Sequence, residues 1–406
     1  MAPVQHLHLS PSKRQPLLRD QRSPNEAPDE LPIQKSHKHP ALSSPDSGPE
    51  DASVSFIGTA TTIIEWQGLK ILTDPNFLHK GDHVHLGPGV TAERLTNPTV
   101  DLHELPAIDL VLLSHYHEDH FDRLVEDSLN RDFPIVTTPH AKGCLTSSAR
   151  SKGYEEGDAR GKPFSNVHAL DAFESLMLHI EDEKSGERPS VIKITGMPGK
   201  HVPPGPLAVV NDLLGAVPPT NGWLLEMGWP SQRTDLPSSP EPRSTAESST
   251  ANESIMVIEM GYTLYISGDT LFVDELQEIM PYLRSHQIQR QPRSATEKQE
   301  PQIDLMLIHL GGTTIPGPQA PLLMVTMDAK QGVKLMRLLN PDVTIPIHFD
   351  DYDVFLSPLE DFKAEVEKMG QEWKDRVVYL NRGDSFRFQV GEGNSDDLSG
   401  RKLTIA

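Results

Sequence analysis

The sequence predicts an α+β domain in which two β-sheets pack face to face with helices on their outer sides. Three observations predict it. Twelve short runs rich in β-branched residues spread across residues 53–380, only four helical stretches lie among them, and hairpin-like pairs of runs stand at both ends of the region. A length of 406 residues would allow two or three small domains, but this pattern reads as one large domain with inserted loops.

The elements follow in order. Val, Ile and Thr dominate the runs 53–57 (VSFIG), 61–66 (TTIIEW) and 69–73 (LKILT), which read as adjacent strands. The apolar runs 108–113 (IDLVLL) and 135–138 (IVTT) flank a helical stretch at 120–130. Further strands are expected at 191–195 (VIKIT), 222–227 (GWLLEM), 255–259 (IMVIE) and 262–267 (YTLYIS), followed by a helix over 270–284. The run 303–309 (IDLMLIH) precedes a helix over 328–339, and 343–347 (VTIPI) precedes a helix over 358–369. In that last helix Leu359, Phe362, Val366 and Met369 share one face, and Gly370 supplies the stop. A strand at 376–380 (RVVYL) closes the series.

Residues 1–50 hold nine of the 36 prolines with almost no apolar periodicity, so a disordered tail is expected there. The domain itself is expected over 51–392, with low-complexity insertions at 231–250 and 285–302 and a C-terminal tail at 393–406. The first 19 residues lack acids, as an organelle transit peptide does, but Pro3, Pro11 and Pro16 spoil the amphipathic helix such a signal needs. A cytoplasmic location is therefore expected, with a mitochondrial one left open.

Lys plus Arg number 37 against 58 Asp plus Glu, giving a net charge of −21. That imbalance argues against nucleic acid as a partner. Cys144 is the only cysteine, which excludes an internal disulfide and a thiolate-based zinc site. No apolar run reaches the ~18–20 residues of a membrane span. The 18 histidines remain as the compositional signal with chemical content.

Their spacing gives that signal meaning. After the apolar run ending at Leu113 comes Ser114 and then HYHEDH, placing His115, His117, Asp119 and His120 within six residues. On an extended backbone i and i+2 face the same side, so His115 and His117 can close on one cation, and Asp119 and His120 can reach a second where the chain turns into a helix. His6, His8, His37 and His39, by contrast, are expected to be solvated.

The stretch HYHEDH resembles the His-x-His-x-Asp-His signature of the metallo-β-lactamase superfamily, and the likeness extends from residue 53 to about 390 because other landmarks follow in the family's order. SFIGTATTIIEWQGLKILTDP contains Asp74, similar to a structural acid that steadies the ligand loop. GMPGKH offers His201, YISGDT offers Asp269, and PIHFDD offers His348. FIGTAT, GKH, LIHLGG and the block from Met327 to Phe349 resemble the branch that holds L-ascorbate-6-phosphate lactonase and N-acylphosphatidylethanolamine phospholipase D. Two departures, TTIPGP after Gly311–Gly312 and the Ser/Pro insertions, bear on substrate choice.

The resemblance implies a four-layer αβ/βα sandwich and a binuclear centre. His115, His117 and His201 would hold one ion, Asp119, His120 and His348 the other, with Asp269 bridging. Asp119 and His348 are also the candidate catalytic residues, and Asp74 and Asp328 are expected to support the site from outside the ligand set. Nitrogen and oxygen donors suit two Zn²⁺ ions, with Mn²⁺ or Fe²⁺ as alternatives. The implied activity is hydrolysis of a small ester, lactone, amide or phosphodiester by a metal-bridging hydroxide. The alternatives are an iron-binding oxidoreductase of the same fold and a non-catalytic metal-binding protein. A small-molecule or lipid-like substrate and a homo-oligomer are the expected partners. His309 is expected in the core or behind the ligands; His79, His83, His85 and His103 fall in a loop near the mouth, and Leu322–Val325 (LLMV) are assigned chiefly to packing.

Overall fold

Parallel strands that end together bring their following loops to one edge, and that property organises this molecule. A computed structural model describes residues 4–39, 50–87, 89–148, 158–181, 189–203, 205, 211, 217–230, 256–288, 301–319, 321–391 and 401–405. The insertion expected at 231–250 lies outside the described residues, as does most of the one at 285–302.

In chain order the strands are β1 (Gln5–Leu9), β2 (Lys35–Lys38), β3 (Ala52–Gly58), β4 (Thr61–Trp66), β5 (Leu69–Thr73), β6 (His83–Gly87), β7 (Val90–Glu93), β8 (Leu110–Leu112), β9 (Ile135–Thr137), β10 (Val167–Ala169) and β11 (Ser175–Ile180). They continue with β12 (Ser190–Pro198), β13 (Asn221–Pro230), β14 (Met256–Ile266), β15 (Gln287–Ile288), β16 (Leu305–His309), β17 (Gly311–Ile315), β18 (Leu323–Met324), β19 (Val343–Ile347), β20 (Phe355–Ser357), β21 (Asp384–Phe388) and β22 (Arg401–Ile405). The α-helices are α1 (Arg123–Ser128), α2 (Pro139–Leu145), α3 (Ile279–His286), α4 (Ala329–Leu339), α5 (Leu359–Met369) and α6 (Gln371–Lys374).

One sheet has the order β1-β11-β12-β13-β14-β16-β19, extended beside β14 by β22 and β15; the other has the order β10-β9-β8-β5-β4-β3-β21-β2. Their inner faces meet around Phe56, Trp66, Ile194, Trp223, Leu264 and Phe386. Strand alternation explains why the central runs are apolar throughout. Leu110 and Leu112 point into the core between the sheets while Val111 points outward beneath α1 and α2. Leu305 and Leu307 likewise point inward, and Met306 and Ile308 pack outward with α3, α4 and α5. The layers are therefore helix, sheet, sheet, helix, the α+β sandwich that the sequence predicts.

The structure corrects several expectations. Residues 4–39 are not a disordered tail: β1 pairs in parallel with β11, β2 pairs in parallel with β21, and Leu17 and Leu18 are buried. The segment has too few apolar residues to fold alone, but Leu7, Leu9, Leu17 and Leu18 gain a surface that the domain has already built. The runs 255–259 and 262–267 form one continuous strand, because Gly261 continues the extended backbone between them. Residues 376–380 make no strand, only a bridge from Val377 to Thr344. The stretch 270–284 divides into a 3₁₀ turn at Asp274–Glu278 and α3. In the loop expected around His79, His83, His85 and His103, β6 and β7 form a hairpin, and in the expected C-terminal tail residues 401–405 pair with β14.

Candidate metal centre

Six strands deliver the site from one end. β5 and β8 run parallel, as do β14, β16 and β19, and β12 is antiparallel to β13, which is antiparallel to β14. The C-terminal ends of β12, β14, β16 and β19 thus fall together. Asp74 follows β5, the HYHEDH loop follows β8, His201 follows β12, Asp269 follows β14, His309 ends β16, and His348 follows β19. Open sheets place their functional groups beyond the carboxyl ends of such strands.

The HYHEDH segment is a loop and not an extended strand, since the amides of His120 and Phe121 both donate to the His117 carbonyl, at 3.0 and 2.8 Å. Asp122 ends it by capping α1, accepting from the Val125 amide at 2.8 Å. Asp74 anchors the start of the loop: its Oδ1 accepts from the Ser114 amide at 2.7 Å, and its Oδ2 stands 3.3 Å from His120 Nδ1. Asn76 holds the middle by donating to the Glu118 carbonyl at 3.0 Å. The buried Arg94 donates in turn to Asn76 Oδ1 at 2.6 Å.

The seven expected ligands do come together. His115, His117 and Asp119 form one group whose donor atoms lie within 4.8 Å of one another, and Asp119, His120, Asp269 and His348 form a second. The His201 ring lies 4.6 Å from that of His115, on the first group's side. All but the partly exposed His117 are buried. Three of the imidazoles are oriented through Nδ1: His115 to Ser114 Oγ at 2.9 Å, His201 to the Val325 carbonyl at 3.1 Å, and His348 to the Leu310 carbonyl at 3.0 Å. The Nε2 atoms of His115, His117 and His201 have no hydrogen-bond partner among the described residues. Those of His120 and His348 face only Asp119 and Asp269 carboxylate oxygens, at 3.3–3.7 Å. Five buried or nearly buried lone-pair donors aimed at one another are costly unless a cation takes them up, so the residues fit a metal centre.

Electrostatics divides the site into two halves. Burial pushes the His115 pKa well down, with His120 and His201 adding to it, and burial pushes His201 down to about 4. Those imidazoles are neutral and available as ligands. For His120 and His348 burial also favours the neutral ring, but the Asp269 and Asp119 carboxylates outweigh it and draw positive charge to that half. Burial alone would raise Asp119, yet the neighbouring imidazoles, His120 foremost, hold it ionised.

The backbone is shaped for the same purpose. Asp74 and His348 adopt left-handed conformations, with φ of 37° and 59°, which are uncommon for such residues and gather at functional sites. Gly268, with φ of 60°, lets β14 turn to present Asp269; a Cβ there would lie 2.2 Å from the Asn221 carbonyl oxygen.

Asp328 does not reach the ligands. Its carboxylate caps α4 by accepting from the Gln331 amide at 2.8 Å. His309, expected in the core or behind the ligands, approaches Asp269 Oδ1 at 3.0 Å, and Thr326 donates to Asp269 Oδ2 at 2.8 Å. Ser114, Asn76 and Thr326 were not among the sequence candidates; of these, only Ser114 carried a signal, its place directly before the motif. His79, His85 and His103 are exposed and pair with Asp101, Glu118 and Asp20. His85 and Glu118 join Tyr116, His117, Arg123 and His140 around a cleft of about 330 Å³ beside the centre. Of LLMV, Val325 is buried, but Leu322 is 81% exposed.

Residues 53–197 match the family model described as a beta-lactamase superfamily domain. An uncharacterized protein of Mycobacterium tuberculosis is 39% identical over 100 residues, which are 23% of this chain and 26% of that protein. The mitochondrial N-acyl-phosphatidylethanolamine-hydrolyzing phospholipase D of Saccharomyces cerevisiae is 33% identical over 96 residues, 23% of this chain and 20% of that enzyme. These matches thus span about a quarter or less of the relatives' lengths. Among solved structures, a possible metal-dependent hydrolase from Veillonella parvula superposes with a TM-score of 0.54 at 16% identity, covering 84% of this chain and all of that one.

Proposed function

We propose that this chain, whose residues 53–197 match a beta-lactamase superfamily domain, is a metal-dependent hydrolase that works through a binuclear centre on a small ester, lactone, amide or phosphodiester, with phosphodiesters foremost. The observation that carries the reading is the gathering of five histidines, whose Nε2 atoms all have no hydrogen-bond partner among the described residues, around the carboxylates of Asp119 and Asp269. His115, His117 and His201 would hold one cation and Asp119, His120 and His348 the other, with Asp269 between them. Two bound divalent ions, most simply Zn²⁺, supply hydroxide near neutral pH and polarise the electrophile.

The remaining work belongs to the protein. Asp119 Oδ1 has no hydrogen-bond partner among the described residues and stands 3.4 Å from His117 Nδ1, so this ionised carboxylate can accept a hydrogen bond from the attacking water or stand beside the leaving group. His348, aimed by the Leu310 carbonyl, lies on the same side of the site. The adjoining cleft combines Arg123 and His140 with Glu118, a mixed-charge lining that suits a polar headgroup. The yeast phospholipase relative supports the preference for phosphodiesters and for lipid-like substrates.

The test is a panel of chromogenic phosphodiesters, lactones and carboxylesters assayed with metal-replete protein, the His117→Ala variant serving as blank. Turnover of at least one class that disappears in the variant is expected. Equal rates in both proteins, or bound iron with oxygen consumption and no hydrolysis, would overturn the reading.

A further inference from the structure

We propose that His6, His8, His179 and Glu181 form a separate site for a divalent transition metal, which clips the N-terminal strand to the edge of the sheet. The inference does not depend on the hydrolase reading. β1 lies parallel to β11 with His8 opposite His179 and His6 opposite Met177. Residues two apart on a strand share a face, and so do residues in register. Leu7 and Leu9 therefore turn inward to the sandwich core, while His6, His8, His179 and Glu181 project from the outer face.

Three imidazoles are gathered there. The His8 and His179 rings stack with centroids 4.4 Å apart and planes 9° apart, and His6 lies against His179 at 5.2 Å and 19°. His6 Nδ1 is 2.9 Å from His179 Nε2, and His8 Nδ1 is 2.8 Å from Glu181 Oε1. Two neutral imidazole nitrogens at that distance share a single proton. Zinc–nitrogen bonds of ~2.0–2.1 Å at a tetrahedral angle hold two nitrogens roughly 3.3 Å apart, so an ion can take up both lone pairs if the rings part by about 0.4 Å and the shared proton passes through solvent to the other nitrogen of its ring. The His8 and Glu181 side chains are 56% and 60% exposed, so they can change rotamer without disturbing the core and complete the ligand set. Imidazole and carboxylate donors without thiolate suit Zn²⁺, Ni²⁺ or Cu²⁺.

The cluster is remote from the centre described above. His179 stands opposite Val191 on β12, seven residues before Pro198 at the strand's site end. At about 3.3 Å per residue this separates the two by on the order of 20 Å, so each can fill independently.

The experiment uses the full chain dialysed against buffered free zinc, with bound metal measured by elemental mass spectrometry. Wild type is expected to hold one zinc equivalent more than the His6→Ala/His179→Ala variant, while that variant keeps its hydrolytic turnover. His117→Ala, whose deficit lies in the other centre, should still gain the extra equivalent. Zinc should also slow tryptic cleavage after Lys13 and Arg14 several-fold in wild type but not in the double variant. His8→Gln, a smaller surface change, repeats the comparison in case the double variant fails to fold. Equal zinc content in wild type and both variants overturns the site, and a lost equivalent with unchanged cleavage overturns the clip.

Discussion

Asp269 Oδ1 lies 3.0 Å from His309 Nδ1, so a histidine at the end of β16 aims the carboxylate that follows β14. Thr326 fixes the other oxygen, leaving Asp269 no rotational freedom. Removing a group that orients a ligand typically costs about 10–100-fold in metal affinity. His309→Ala is expected to weaken zinc binding by that factor in competition with a chromogenic chelator, with kcat/KM falling in step. His309→Asn, which keeps a donor, should recover part of the loss. Unchanged affinity in both variants would reduce His309 to packing.

Asp74 poses a sharper case because its two oxygens serve different ends, one bonding the Ser114 amide and the other standing beside His120. Asp74→Ala would leave a buried amide unpaired, at a cost of about 1–3 kcal/mol, and also burden the left-handed backbone. Asn keeps an acceptor and tolerates that conformation. Thermal unfolding should therefore show Asp74→Ala clearly destabilised and Asp74→Asn close to wild type. Metal affinity should fall in both, since neither places an anion beside His120. A normal metal affinity for Asp74→Asn would mean that only the loop anchor matters.

Much of this was legible in the sequence for a physical reason: central strands buried on both faces are apolar throughout, and each ends where a chemically distinctive residue begins. The run ending at Leu113 announces His115 in that way, whereas His348 after Ile347 is reached through the family resemblance. Residues whose roles come from contacts distant in sequence left no such mark. Asn76 reaches Glu118 and Tyr352 across 42 and 276 positions, and nothing in its neighbours foretells either bond. The N-terminal segment was missed differently: Pro and Ser dominate its composition, yet the alternation His6-Leu7-His8-Leu9 is the period of a strand with one buried face. For His309 the sequence leaves core and a place behind the ligands both open, and nothing in it names Asp269 as the partner.

Leu18 is fully buried against the outer face of the second sheet, and Leu18 forms a bridge to Leu129. If the segment is integral to the fold, truncating this side chain removes core contacts and leaves a cavity, which for Leu→Ala costs about 2–5 kcal/mol. Urea unfolding of Leu18→Ala should show a loss in that range with an unchanged m-value. A disordered tail would give none.

Lys193 on β12 is buried with its Nζ 3.3 Å from Glu226 Oε2 on β13 and 3.1 Å from Tyr282 Oη on α3. Burial by itself lowers a lysine pKa, but the Glu226 carboxylate outweighs it and the Lys193 pKa lies above its usual value. A folded pKa above the unfolded one stabilises fully at pH values below the unfolded pKa, about 10.4. The stabilisation is lost as pH rises through the folded value. Replacing one member of such a buried pair costs about 3–5 kcal/mol. Lys193→Met should show a deficit of that size at pH 7–9 in chemical unfolding, and the gap to wild type should narrow above about pH 10.4 as wild-type Lys193 loses its proton. Lys193→Met with Glu226→Leu should recover most of the loss at pH 7, because the carboxylate is then no longer buried without its cation. A gap that stays constant to pH 12 would show that Lys193 contributes by packing its methylenes and not by its charge.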